Sequence, residues 1–87
     1  DRSKHVRCSA CKALGMIGEK AATAEVIDRL ILALGDRSEH VRWSSCEALG
    51  MIGKKAATGE VIHPLIISLG DRSKHVRCSA CKALGMI

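Results

Sequence analysis

Tyrosine and phenylalanine are absent from this 87-residue chain, and Trp43 is its only aromatic residue. Yet 47% of the residues are hydrophobic. A core must therefore be built from Leu, Ile, Val, Ala and Met, side chains that suit helix packing better than a β-sandwich. No apolar run approaches the roughly 18–20 residues of a membrane span, and no signal-peptide pattern precedes the first residue. An initiator methionine is missing as well. The chain is thus expected to be an excerpt, with any targeting signal lying elsewhere. At this size a single domain buries only roughly 60–65% of its unfolded surface, so stability is marginal unless something else contributes.

Cysteine is present five times, an odd number. Cys8, Cys11, Cys78 and Cys81 belong to a duplicated segment, and Cys46 matches Cys11. They recur because a repeat recurs, which is weak support for a disulfide framework; a reducing compartment, the cytoplasm, is the simpler expectation.

The duplication organises the whole chain. Residues 1–17, DRSKHVRCSACKALGMI, return letter for letter as residues 71–87, and a patterned near-copy, DRSEHVRWSSCEALGMI, occupies 36–52. Aligned on itself, the chain has a strict 35-residue period: repeat 1 over 1–35, repeat 2 over 36–70, and a half repeat over 71–87. The two full copies agree at 25 of 35 positions without a gap. Periods of about 20–50 residues mark arrays in which each unit buries its apolar face only against its neighbours.

Each unit reads as two helices, giving five in the order A-B-A-B-A. Ser3, Ser38 and Ser73 stand where an N-cap hydroxyl could accept from an early backbone N–H. Val6, Ala10, Ala13, Leu14 and Ile17 follow at helical spacing on one side, and Gly18 supplies a left-handed stop. Ala21–Thr23 reads as a short connection, with Thr23 capping the next helix. There Ile27, Leu30, Ile31 and Leu34 form an i, i+3, i+4, i+7 stripe that Gly35 ends. Pro64, inside the second copy of this helix, removes a backbone donor and is expected to kink the helix or delay its start.

The pattern D-x-S-x-x-V-R-x-x-A-x-x-A-L-G-x-I-G, carried by Asp1, Val6, Arg7, Ala10, Ala13, Leu14, Gly15, Ile17 and Gly18, resembles HEAT-like repeats. The subtype is the short one also found in phycobilin lyases and in engineered α-helical repeat scaffolds, and the resemblance covers the whole chain. One departure is an A-to-B connection a few residues longer than in the shortest members. The resemblance implies an all-α, right-handed α-solenoid with A helices on the convex face and B helices on the concave face. It also implies a structural ladder in which the Arg of "VR" reaches the Asp opening its own or an adjacent repeat: Asp1, Asp36 and Asp71 with Arg7, Arg42 and Arg77. A pair six residues apart across a cap is not an i,i+4 helix pair, so the spacing also favours a bridge from cap to neighbour.

"HVRCSAC" (His5, Cys8, Cys11, and again His75, Cys78, Cys81) invites a metal or redox reading. On a helix these residues drift by about 60° per step, leaving His5 and Cys11 pointing apart. A redox thiol pair works best at a helix N-terminus, and Cys8 is already past the first turn. The middle copy also puts Trp43 where Cys8 stands. Packing and surface thiols are therefore the preferred reading, with no metal and no cofactor expected.

The net charge of +5 raises nucleic-acid binding, but its distribution argues against that. Segments 1–18 and 71–87 each carry +3, whereas 36–53 carries −1. The sign alternates at matched positions: Lys4, Glu39, Lys74; Lys12, Glu47, Lys82; and Glu19 against Lys54. In a stack of A helices these positions are neighbours, and each exposed opposite pair contributes about 0.2–1 kcal/mol. A nucleic-acid groove wants one sign and, for single strands, aromatic platforms. The superperiod is thus two repeats, a Lys-type unit and a Glu-type unit taking turns, and complementary charge favours the correct neighbour.

No nucleophile–base–orienter set, no phosphate loop and no His-Glu dipeptide is present, so no enzyme activity is expected. His5, His40 and His75 read as solvated or capping. The B-helix differences cluster on the face away from the apolar stripe: Asp28/His63, Arg29/Pro64 and Leu32/Ile67. With Glu25 and Glu60, that concave face is where a protein partner would be read: Glu25, Asp28, Arg29, Leu32, Glu60, His63 and Ile67. The expected function is a non-enzymatic protein-binding scaffold module, a fragment of a longer array. The alternative is a structural subunit associating head-to-tail through uncapped terminal helices; nucleic-acid binding through basic A helices is a distant third.

Overall fold

The computed structural model describes residues 3–87, with the side chains of residues 54 and 56 left aside; Asp1 lies outside it. Five α-helices follow one another: α1 (Lys4–Ile17), α2 (Ala24–Ala33), α3 (Glu39–Ile52), α4 (Gly59–Ser68) and α5 (Lys74–Met86). Equivalent helices start 35 residues apart, so the sequence period is also the structural period. No strand occurs among the described residues.

The helix starts are set by the Asp-x-Ser segment, although the serines do less of the capping than their position suggests. Ser3, Ser38 and Ser73 are all N-caps with extended backbone, but of Ser38 and Ser73 only the latter accepts through its side chain, from Val76 N–H at 3.4 Å. Aspartate two residues earlier does the complementary work: Asp36 Oδ1 accepts from Ser38 N–H and Asp71 Oδ1 from Ser73 N–H, both at 2.8 Å. Each closes an Asx turn that aims the chain into the next helix. Thr23 caps α2 by accepting from Val26 N–H at 3.2 Å.

Gly18 and Gly53 end the first two A helices with φ of 73° and 76°, but with ψ of −143° and −140°. That is an extended left-handed region open essentially to glycine alone, and not the left-handed helical cap. The chain leaves each glycine into a 3₁₀ turn, Gly18–Ala21 and Gly53–Ala56, so part of what read as a plain connection is helical. Pro64 does not delay its helix: α4 starts at Gly59, the equivalent of Ala24 in α2. Val61 and Leu65 on α4 are fully buried, and tertiary packing of an apolar face sets helix position more strongly than one missing donor.

The A helices form the spine. α3 lies between α1 and α5, while α2 packs on α3 and α4 on α5. The core runs through Leu30, Val41, Cys46, Leu49, Ile52, Val61, Leu65 and Val76, each at most 1% exposed. Each buried Leu or Ile side chain contributes about 1.5–3 kcal/mol. Close approach of the A helices depends on glycine. A Cβ on Gly15 would lie 2.9 Å from Ala48 Cα, and one on Gly50 the same distance from Ala83 Cα, closer than backbone tolerates. Gly85, at the same position of α5, meets nothing within 4 Å.

Position in the stack decides which faces are covered. Val41, Ser45, Ala48 and Ile52 of α3 are buried against α1, whereas their equivalents Val6, Ala10, Ala13 and Ile17 on α1 are exposed. Conversely Cys11 and Cys46 are buried beneath the following A helix, and Cys81 is exposed. No helix among the described residues is long and apolar enough to cross a membrane.

Candidate functional site

Two arrangements carry the chemistry of this chain: a ladder of ion pairs between units and an open face on the B helices.

In the ladder, each arginine reaches forward to the unit that follows it. Arg7 Nε donates to Asp36 Oδ2 at 2.7 Å and its Nη2 to Oδ1 at 3.0 Å. Arg42 repeats the two-pronged contact on Asp71, at 2.9 and 3.1 Å. The planar guanidinium matches the carboxylate, which makes these stronger than single-point pairs. Arg42 also donates through Nη1 to the carbonyls of Asp36 and Arg37, at 2.9 and 3.2 Å, closing its own helix entrance. Arg77 makes the corresponding backbone contact, with Asp71 O at 2.6 Å, but among the described residues it has no carboxylate partner.

The pairing shows in the acid–base properties. The Arg7 hydrogen bond holds the Asp36 carboxyl below its ordinary value despite partial burial, with help from Ser38 N–H. At Asp71 burial pushes the other way and is outweighed by the Arg42 hydrogen bond and Ser73 N–H, so this carboxyl is lowered too. Burial pushes the thiols of Cys11 and Cys46 up to about 11, the opposite of what an activated cysteine needs.

The cysteines and histidines are not assembled into a ligand set: among the described residues no group of three or more His, Cys, Asp or Glu side chains could hold a metal ion. Cys8 instead meets Ser44 of the next unit, Sγ to Oγ 2.9 Å. The histidines include a contact that sequence spacing alone did not single out. Trp43 stacks with His40, with ring centroids 6.1 Å apart, and with His75 of the following unit, at 5.1 Å with planes 13° from parallel. The available signal was the histidine at every 35th position with an aromatic residue three places after the middle one.

The charge alternation does not form close pairs. Lys4 and Glu39 line one shallow hollow, and Lys12 and Glu47 another. Among the described residues, however, the only ion pairs within 4 Å are the two rungs of the ladder. Outside that range, exposed charges interact through solvent, and salt screens them. The Lys54 side chain of the Glu19/Lys54 match lies outside the described residues.

On the B helices, Glu25, Asp28, Arg29 and Leu32 of α2 and Glu60, His63 and Ile67 of α4 are all exposed. Leu32 is 72% and Ile67 65% exposed, and they occupy equivalent positions on the two helices. The stripe beneath is unevenly covered: Leu30 and Leu34 are buried, Ile27 and Ile31 half-buried.

Among curated proteins no sequence match to the chain is found. A family model described as HEAT repeats matches residues 1–62 and again residues 27–87. With its 35-residue helix pairs stacked into an α-solenoid, the chain belongs to the HEAT repeat family.

Proposed function

We propose that this HEAT repeat segment is a non-enzymatic protein-binding scaffold, part of a longer array, whose B-helix face grips a protein partner. HEAT repeats are generally protein-interaction modules. The observation that carries the assignment to this face is the pair of large apolar side chains, Leu32 and Ile67, left exposed at matched positions. Exposed apolar side chains ringed by polar groups mark interaction surfaces. Around them stand Glu25, Glu60, Asp28, Arg29 and His63, so the partner segment would offer apolar side chains flanked mainly by basic ones.

The test is affinity capture with cross-linking, comparing the native chain with the Leu32→Lys, Ile67→Lys double variant. Both side chains point to solvent, so the variant should keep its helical circular dichroism and lose cross-links on α2 and α4. An unchanged cross-link pattern would sink the proposal.

A second reading, head-to-tail association of like chains, draws on Val6 at 50% and Ile17 at 56% exposure, against 0% for Val41 and Ile52. Light scattering over a concentration series tests it. A species that stays monomeric at high concentration eliminates it.

A further inference from the structure

The A helices begin along one edge of the stack, where the Asp-Arg-Ser segments enter them. Neighbouring units do not cover this edge: α3 is packed between α1 and α5, yet Arg37, Glu39 and His40 at its start are exposed. Two shallow hollows adjoin there. One, of about 510 Å³, is lined by Lys4, Arg7, Arg37 and Glu39 among others. The next, of about 380 Å³, is lined by Asp36, Arg37, Arg42, Asp71 and Arg72 among others. The Arg37 side chain is common to both.

The charges in these hollows are not balanced. Asp36 and Asp71 are each held by two prongs of a guanidinium, so they and Arg7 and Arg42 cancel within the ladder. Arg37 and Arg72 stand outside it. Both are exposed, and among the described residues neither has a carboxylate within 4 Å. Lys4 and Lys74, also exposed, add to them, and Glu39 is the one carboxylate outside the ladder that lines either hollow. The starts of α3 and α5 contribute the positive ends of their dipoles.

We infer that this edge is a docking surface for an acidic peptide segment, an extended chain that crosses the stack and sets carboxylates on Arg37 and Arg72. These arginines are equivalent residues of successive units, and packed helix axes lie about 8–10 Å apart. A polyproline-II chain presents the same face every three residues, after about 9 Å. Acidic residues at i and i+3 therefore meet successive arginines. Each guanidinium can take its carboxylate through two bonds, as Arg7 and Arg42 do inside the chain. A nucleic-acid backbone carries one sign throughout and would bring phosphate against Glu39. A peptide sets its acidic residues only where an arginine stands. This surface is separate from the B-helix face, whose acidic rim suits a basic partner, and it does not rest on that proposal.

The test is fluorescence anisotropy of a labelled peptide of repeated Glu-Pro-Ala, titrated with the 87-residue chain at low salt. Repeated Gln-Pro-Ala is the uncharged control, and a labelled oligothymidylate is the nucleic-acid arm. The Glu peptide should bind, the Gln peptide should not, and binding should weaken as salt rises. The Arg37→Gln, Arg72→Gln variant should bind about tenfold more weakly, two charge contacts being lost. A Lys20→Gln, Lys55→Gln variant removes the same charge from the 3₁₀ turns that follow the A helices, and its affinity should stay within about twofold of the parent. All four side chains are exposed and none belongs to the ladder, so both variants should keep the parent's circular dichroism and unfolding midpoint.

No binding of the Glu peptide at low salt would overturn the surface, and so would equal weakening by the two variants. A shuffled peptide with its glutamates in one block should bind more weakly; equal affinity would overturn the three-residue spacing. Tighter binding of oligothymidylate, lost with Arg37 and Arg72, would overturn the peptide assignment and give the edge to nucleic acid.

Discussion

Gly50 of α3 stands so close to Ala83 of α5 that a methyl group on the glycine would lie 2.9 Å from the alanine Cα. The obstacle is backbone, which cannot rotate aside. Gly50→Ala should therefore push α3 and α5 apart and destabilise the chain by about 1–3 kcal/mol. Gly85→Ala, at the equivalent open position, should be neutral or up to about 1 kcal/mol stabilising, because alanine is the better helix former. Urea unfolding of the two variants checks the contrast.

Arg42 is 6% exposed and holds Asp71 with two prongs and two carbonyls with a third nitrogen. Arg42→Ala should cost about 3–5 kcal/mol, since it strands a carboxylate in a part-buried site. Arg42→Lys should recover only part of this, because an ammonium cannot reproduce the fork. The readout is the denaturant midpoint at constant slope.

Both ladder aspartates have folded-state pKa values below their ordinary one. The stability they contribute is therefore present in full above the unfolded pKa, about 4. It is lost as pH falls through the lower folded values. Thermal unfolding should be nearly flat from pH 7 to 5 and drop steeply below about pH 4. The drop should be shallower in Asp36→Asn, which starts from a lower stability.

Cys11 and Cys46 have thiol pKa values raised to about 11. Their folded pKa lies above the unfolded one, so the stabilisation is complete below about pH 9 and is lost as pH rises toward 11. At pH 8, alkylation should modify Cys78 and Cys81 first, Cys8 more slowly, and Cys11 and Cys46 only on unfolding. Mass spectrometry of timed samples checks the order.

Trp43 is covered on one side by His75 of the next unit. His75→Ala should red-shift Trp43 emission and cost about 0.5–1.5 kcal/mol. A variant with unchanged emission would mean that the stack does not shield the indole.

Much of this fold could be read from spacing alone. A strict 35-residue period fixes the helix starts, because Asp-x-Ser recurs with it and both residues act locally. The delay expected at Pro64 is absent because a local rule was applied where buried Val61 and Leu65 set the helix start. At Gly18 the stop was legible but the dihedral was not, since a 3₁₀ turn follows and dictates it. The alternating lysines and glutamates suggested salt bridges, yet such long exposed side chains gain too little to hold one geometry. That the terminal helices would be uncapped followed from the repeat order, but which residues of α1 would be open could not be read from local sequence. Val6 and Val41 have the same local sequence, and only their place in the stack separates 50% from 0% exposure.

Asp36 answers to two helices at once: its Oδ1 accepts from Ser38 N–H at the start of its own helix and from Arg7 of the preceding one. Asp71 does the same for α5 and Arg42. Losing an inter-unit bond therefore loosens the entrance to the next helix, and fraying that entrance releases the bond. The free energy of opening becomes a property of the joint between units, so melting should proceed by whole joints from the ends inward. Amide exchange would show this as protection highest in α3, whose residues are held from both sides.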